Sequence, residues 1–225
     1  VREDIIREVA TVKKERLPGK EFEYSCLGYI TLAEILYRVT GKTIDILFEE
    51  EIAKPLGLKN SFFLPPQNRY PDIAPTEKTE TGVILGRVHD PLASFQGGIS
   101  GNAGLFSNVD DLAIFMQMMM NGGVYNGVRI LGRPTIETMT KPYKFVAFSG
   151  RGLGWDSESD YMGQRGDIFT DNCYGHTGFT GTSILAVPNE ELFIIILTNR
   201  VHEPTNNNIL RLRREIANIV ASSLE

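Results

Sequence analysis

Two apolar runs near the end of the chain constrain its fold more than any other feature. They extend over residues 182–187 and 192–198, and Pro188-Asn189-Glu190 joins them. A short polar connection between two such runs predicts an antiparallel hairpin. A further strand is predicted just upstream, at about 173–176. After the hairpin, apolar residues recur at helical spacing and predict an amphipathic closing helix that packs on the sheet. They are Ile209, Leu212, Ile216, Ile219 and Val220.

The earlier part of the chain is predicted to be mostly helical. Helical spacing of apolar residues, punctuated by Pro, Gly or capping residues, marks the stretches 1–17, 27–39, 43–54, 108–121 and 134–140. Residues 60–87 are predicted to form a long ordered loop, and "GLGW" at 152–155 is predicted to begin the strands. Helices followed by an antiparallel sheet and a closing helix predict an α+β fold. We expect one domain over 1–225, with a mostly helical part (1–145) and a sheet part with the closing helix (146–225).

Composition excludes several classes of protein. The net charge is -5 and no basic stripe is visible, so nucleic acid is not expected as a partner. The apolar stretch 192–197 is far too short to span a bilayer. Cys26 and Cys173 do not make a disulfide framework, although a single bridge between them is left open.

Three short segments carry polar residues that are suited to chemistry. They are Tyr24-Ser25-Cys26, the glycine-rich "QGGISGNAGLFS" and His176-Thr177-Gly178. Ser25 precedes a predicted helix and could simply cap it. Ser100 is excluded as a nucleophile, because the elbow motif needs a strand before it and a helix directly after it.

No metal ion or other cofactor is predicted. Cys173 and His176 are separated by an odd number of positions on a predicted strand, so their side chains point to opposite faces. A structural zinc site would need a full set of ligands in the right places. Cys26 is not predicted to be a reactive thiol, since no base or cation is evident in its sequence surroundings.

Several longer segments together resemble the serine β-lactamase and penicillin-binding-protein family, in particular its class C-like hydrolases and esterases. They are, in chain order, "YSCLGYITLAEILYRVTGK", "EEEIAKPLGLKNSFF", "VHDPLASFQGGISGNAGLFSNVDDLAIFMQMMMNGG", "GLGW" and "GHTGFTGTSILAVPNEELFIIILTNR". Their order and spacing are similar to that family nearly end to end. "HDPLASFQGGISGNAGLFS" is most similar to a branch that is sometimes fused to a bacterial glycosidase. The resemblance implies a β-lactamase/transpeptidase-like fold, acyl transfer from an ester, amide or β-lactam through a serine nucleophile, and a periplasmic or secreted location.

Two motifs carry the site residues that the resemblance implies. Tyr24-Ser25-Cys26 matches the family's Tyr-x-Asn element with cysteine in place of asparagine, and His176-Thr177-Gly178 matches its Lys-Thr-Gly element with histidine in place of lysine. The implied catalytic groups are Tyr24 as a proton relay, His176 on the strand that walls the cleft, and the Phe179 backbone N–H in the oxyanion hole. Cys26, Thr177 and Gly178 are implied in substrate binding. Because histidine titrates near about pH 6.5, carboxylate binding by His176 is predicted to fade above that pH.

One motif of that family does not occur in this sequence. No serine is followed by lysine at the third position after it, so Ser-x-x-Lys is missing from the 225 residues. We therefore expect the C-terminal portion of an incomplete domain, which is inactive alone and whose sheet has an exposed edge. The missing N-terminal segment or a homo-oligomer partner is expected to cover that edge. The alternative is a degenerate, non-catalytic module that binds a ligand or supports a fused enzyme.

Overall fold

Two compact units make up the chain. The computed structural model describes residues 2–13, 17, 19–20, 22–143, 149–159, 162–169, 172–203 and 208–224. One unit comprises residues 1–18 and 23–111, and the other comprises 19–22 and 112–225. The predicted boundary at 145/146 lies outside the described residues, so the proposed division at that point stays a prediction.

The first unit consists of helices and very short strands. Its helices are α1 (Arg2–Thr11), α2 (Cys26–Thr40), α3 (Ile44–Phe48), α4 (Lys54–Leu56) and α5 (Pro91–Phe95). Its strands pair antiparallel, β1 (Phe62–Phe63) with β4 (Leu105–Phe106) and β2 (Lys78–Thr79) with β3 (Gly82–Val83). A π-helical turn (Glu49–Ala53) joins α3 to α4, and a 3-10 turn spans Gln67–Asp72. The long ordered loop predicted at 60–87 therefore contains short elements of its own.

The ends of the early helices can be compared with the ends predicted from the sequence. Gly41, at a left-handed φ of 73°, ends α2 as predicted and donates its N–H to the Tyr37 carbonyl at 2.7 Å. Two other ends differ from the prediction. Helix α1 ends at Thr11, and residues 14–16 of the longer predicted helix lie outside the described residues. The helical backbone continues past Pro55 to Leu56 and ends at Gly57, which has a left-handed φ of 71°.

The second unit contains the largest sheet of the described chain. Helix α6 (Val109–Met120) begins in the first unit and continues into this one, which also holds α7 (Arg133–Thr140), α8 (Ile209–Ser222) and the hairpin β5 (Val124–Tyr125) with β6 (Val128–Arg129). The sheet has the order β7 (Tyr174–Thr177), β8 (Ser183–Val187), β9 (Leu192–Ile196), all antiparallel. A 3-10 turn, Pro188–Glu190, joins β8 to β9. The predicted hairpin and the α+β fold are confirmed.

The strand predicted at "GLGW" is wrong. Residues 152–155 form a turn between Arg151 and Asp156, which bridge to each other, while Asp156 also bridges to Gly175 of β7. Gly152 closes this turn by donating its N–H to the Trp155 carbonyl at 2.9 Å. Gly154 has a φ of 82°, a left-handed conformation that bends the chain and ends any strand.

Helix α8 packs on one face of the sheet, as predicted. The buried cluster between them contains Met162, Phe169, Cys173, Leu185, Val187 and Ala217. On the other face Trp155 meets Tyr174 edge to face, with ring centres 5.1 Å apart. Every residue of β9 is only half-buried, and no described strand pairs with its outer edge. No helix of the described ranges has the length and apolar character that a bilayer crossing requires.

Candidate functional site

The predicted site residues are divided between the two units. Tyr24 and Cys26 lie at the start of α2 in the first unit, and the segment from His176 to Phe179 ends β7 in the second. Each group stands at the end of a regular element, Tyr24 and Cys26 at the start of α2 and His176 at the end of β7. Their convergence on one acyl centre stays a prediction.

The start of α2 fixes the backbone around Tyr24. Ser25 is the N-cap, and its Oγ accepts a hydrogen bond from the Gly28 N–H at 3.4 Å. The interpretation of Ser25 as a helix cap is therefore confirmed. Tyr24 immediately precedes the cap, and its side chain is 55% exposed. Cys26 is the first helical residue and is half-buried. Tyr24 therefore lies next to a capped helix terminus, with more than half of its surface exposed.

Main-chain hydrogen bonds and two glycines fix the shape of the turn after β7. The Gly178 N–H donates to the Thr182 carbonyl at 2.7 Å, and the Gly181 N–H donates to the Gly178 carbonyl at 3.1 Å. Gly181 has a φ of 128° and lies against the Thr198 carbonyl, so a side chain there would be both strained and crowded. At Gly178 the Thr182 hydroxyl occupies the space that a Cβ would take, so packing within the turn is itself a reason for glycine here. Phe179, at the tip, is 68% exposed.

His176 belongs to a charged cluster that the sequence did not reveal. Its Nδ1–H donates to the Thr177 carbonyl at 2.9 Å, so Nε2 carries the lone pair and faces Arg151 Nη1 at 3.4 Å. Arg151 also forms an ion pair with Asp156 at 3.1 Å and lies over the Phe22 ring at 5.4 Å. The side chains of Arg151 and Asp156 are only 14% and 3% exposed. The lasting positive charge beside this strand is therefore on arginine.

One feature of the sequence could have indicated this cluster. Arg151 and Asp156 flank the "GLGW" segment, and opposite charges at the two ends of a glycine-containing turn can pair across it. The mistaken strand at 152–155 hid that signal, because it would have separated the two side chains.

The surroundings of His176 lower the pKa of its imidazole below the ordinary histidine value. Burial lowers it most and the Arg151 guanidinium lowers it further, against smaller opposite effects of the Thr177 carbonyl and Asp156. As the pH falls below about 6.5, the unfolded chain takes up the proton before the folded chain does, so the free energy of unfolding decreases. Carboxylate binding by protonated His176 would accordingly fade at a lower pH than the sequence alone predicts.

NMR titration of the imidazole signals checks this directly. The His176 midpoint is expected below about 6.5 and is expected to rise in Arg151→Met. Arg211→Met removes the same charge from a side chain that is 74% exposed, and should leave the midpoint unchanged. A midpoint at or above 6.5 in the unsubstituted chain would contradict the assignment of a neutral His176.

Several other side chains with reactive groups are buried or hydrogen-bonded within the fold. Ser100 is 3% exposed and donates to Asn102 Oδ1 at 2.7 Å, which agrees with its exclusion as a nucleophile. Burial raises the pKa of Tyr174 to about 12, so this phenol stays protonated at neutral pH. Cys26 and Cys173 are both thiols. Within the described ranges no three or more His, Cys, Asp or Glu side chains are grouped to hold a metal ion.

Known proteins similar to this chain share one family and one fold. The family model described as Beta-lactamase matches residues 1–218. An Escherichia coli (strain K12) protein provisionally named D-alanyl-D-alanine carboxypeptidase is 36% identical over 206 residues, 84% of this chain and 48% of that protein. An N-acetylmuramyl-L-alanine amidase of Bacillus subtilis (strain 168) is 34% identical over 221 residues, 90% of this chain and 50% of that protein. The chain thus spans about half the length of these curated relatives.

A solved structure supports the fold independently. A penicillin-binding protein homologue from Caulobacter crescentus superposes with a TM-score of 0.72 at 18% identity, over 98% of this chain and 64% of that one. At this identity the likeness concerns the fold alone.

Proposed function

The chain belongs to the Beta-lactamase family, and on that premise we propose that it is the C-terminal portion of a serine hydrolase that transfers acyl groups from esters or amides. The acylating serine and its lysine would lie on a segment outside these 225 residues. The observation that carries the proposal is the end of β7, where His176-Thr177-Gly178 leads into a turn that positions the Phe179 main-chain amide. The periplasm or the cell exterior is the location that fits this family.

The proposed reaction assigns one task to each group. The serine oxygen attacks the carbonyl carbon while Tyr24 accepts the serine proton and passes it to the leaving group. The Phe179 N–H donates to the oxyanion of the tetrahedral intermediate. The bond to the leaving group then breaks, and water hydrolyses the acyl-serine. Thr177 and Gly178 would align the substrate along β7, and Cys26 would contact it with a thiol, a weaker hydrogen-bond partner than an amide.

We propose that the positive charge needed beside His176 comes from Arg151. A phenol titrates near about 10 in water, so proton transfer at neutral pH requires positive charge in the cleft. Histidine with a lowered pKa would not provide it, and we propose that Arg151, whose Nη1 lies 3.4 Å from the imidazole, takes that role if the two units bring Tyr24 to the same site. The names of the two curated relatives refer to amide bonds to alanine, and we propose a peptide or amide of that kind as the substrate class.

Restoring the upstream segment tests the proposal. The chain alone is expected to hydrolyse neither nitrocefin nor p-nitrophenyl acetate, because it lacks a nucleophile. The longer natural protein is expected to hydrolyse at least one of these or an alanine amide, and replacing its Ser-x-x-Lys serine by alanine should abolish the turnover. If the longer protein has no such serine or shows no turnover, the non-catalytic binding or support module becomes the better interpretation.

The outer edge of β9 predicts self-association of the isolated chain. "LFIII" is continuously apolar, carries no charge or proline to protect an edge, and is only half-buried. We propose that the missing segment, or a second copy in its absence, pairs with this edge. Light scattering should show a mass that rises with concentration, and Ile195→Lys should lower it. Glu190→Gln raises the net charge by the same single unit outside the strand and should not lower the mass, while a monodisperse monomer would contradict the prediction.

A further inference from the structure

A buried arginine of α8 lies behind the turn between β7 and β8. Arg213 is 4% exposed, and its Nη2 donates to the Thr182 carbonyl at 2.8 Å and to the Gly178 carbonyl at 3.5 Å. A guanidinium keeps its charge when buried, so its desolvation must be offset by strong hydrogen bonds. Here the acceptors are main-chain carbonyls of the turn.

A second arginine adds positive charge at the same turn. The Arg200 guanidinium lies 4.7 Å from the centre of the Phe179 ring, and its main-chain N–H donates to the Thr180 carbonyl at 2.7 Å. Burial, and then Arg200, lower the pKa of Arg213. Within the described part of the chain, neither arginine forms an ion pair with a carboxylate. Among the residues that the structure describes, their charge therefore acts on the turn without a carboxylate beside it.

The Gly178 carbonyl and the Phe179 N–H belong to one peptide group. This peptide bond is trans, so its carbonyl and its N–H point in opposite directions. The carbonyl accepts from the Gly181 N–H within the turn and from Arg213 of α8, and the Phe179 N–H points to the opposite side of this peptide from that carbonyl. Hydrogen bonds donated to a peptide carbonyl also strengthen its N–H as a donor, because the two polarise together.

We propose that Arg213 is a positioning residue for acyl transfer, which anchors the turn through Thr182 and orients and polarises the Gly178–Phe179 peptide toward the oxyanion. This inference rests on the proposed function, which makes the Phe179 N–H an oxyanion donor. Arg213 itself touches no reacting atom, and its effect passes entirely through the main chain of the turn.

NMR of the isotope-labelled chain tests the anchoring without any need for activity. Arg213→Gln should shift the Phe179 amide proton upfield and accelerate hydrogen exchange at the Gly178 N–H by about tenfold or more, as expected for loss of a charge-assisted hydrogen bond. Arg213→Lys should change both in the same direction and by less. Arg211→Gln is the matched control on the same helix, because that side chain is 74% exposed and pairs with Glu215 at 2.7 Å.

Equal Phe179 shifts and equal Gly178 exchange rates in Arg213→Gln and Arg211→Gln would overturn the proposal. If Arg213→Gln does not fold, Arg213→Lys decides, and an unmoved Phe179 amide in that variant would overturn the proposal as well. In the longer, active protein, Arg213→Gln should lower kcat about tenfold with little change in KM, with partial rescue in Arg213→Lys. An inactive longer protein would instead refute the proposed function and leave the NMR comparison to judge Arg213.

Discussion

Replacing Tyr24 by phenylalanine in the longer protein is expected to lower kcat by about 10²- to 10⁴-fold. The substitution keeps the ring and removes only the phenol oxygen, so the helix start around Ser25 should stay as it is. Without that oxygen no group of this motif can take the serine proton and return it to the leaving group. Steady-state hydrolysis of p-nitrophenyl acetate measures the effect, and KM should change little because the loss concerns the transition state.

Tyr29→Phe is the matched control for this experiment. Tyr29 lies on the same helix, is 43% exposed and has no role in the proposed chemistry. Its loss of a phenol oxygen should leave kcat within about twofold, as is usual for a surface change. A Tyr24→Phe variant as active as Tyr29→Phe would remove Tyr24 from the mechanism, even if the longer protein proves to be a serine hydrolase.

Local signals made a large part of the fold predictable. Helix α2 has its cap at Ser25 and its stop at Gly41, and both lie next to the residues that they affect. The hairpin of β8 and β9 depends on two apolar runs and a three-residue turn, and α8 on a regular spacing of apolar side chains. In each case the deciding contacts are close in sequence, so the pattern contains them.

The charged cluster at β7 could not be predicted in the same way. His176 and Arg151 are joined by tertiary contact across 25 positions, and the glycines that bring Arg151 to Asp156 are also compatible with a strand. The buried position of Arg213 was equally hidden, because an arginine in an amphipathic helix is usually on the solvent side. The apolar run of β9 is typical of a central strand, yet the strand is an edge in the described sheet, so its sequence indicates a neighbour that the described residues do not supply.

Asp111→Ala is expected to lower the free energy of unfolding by about 2–4 kcal/mol. Asp111 is 4% exposed, and its carboxylate accepts hydrogen bonds from the Asn60 N–H at 2.7 Å, the Ser61 hydroxyl at 2.8 Å and the Lys59 N–H at 3.3 Å. The Ser61 hydroxyl also lies 2.7 Å from Ser107 Oγ and can donate there instead. The Asn60 and Lys59 main-chain amides would both lose the carboxylate as their acceptor. The cost is therefore the loss of three hydrogen bonds to a buried, charged acceptor, two of them from main-chain amides.

Asp110→Ala separates this effect from a general loss of negative charge at the start of α6. Asp110 is exposed in the same helical turn, so its removal costs only its favourable interaction with the helix dipole, about 0.3–1 kcal/mol. Urea unfolding followed by circular dichroism measures both variants, and hydrogen exchange at the Asn60 amide should accelerate only in Asp111→Ala. Asp111→Asn should fall between them, because an amide has one acceptor oxygen where the carboxylate uses two. Equal stabilities for Asp110→Ala and Asp111→Ala would show that the loop at 59–61 is held by other contacts.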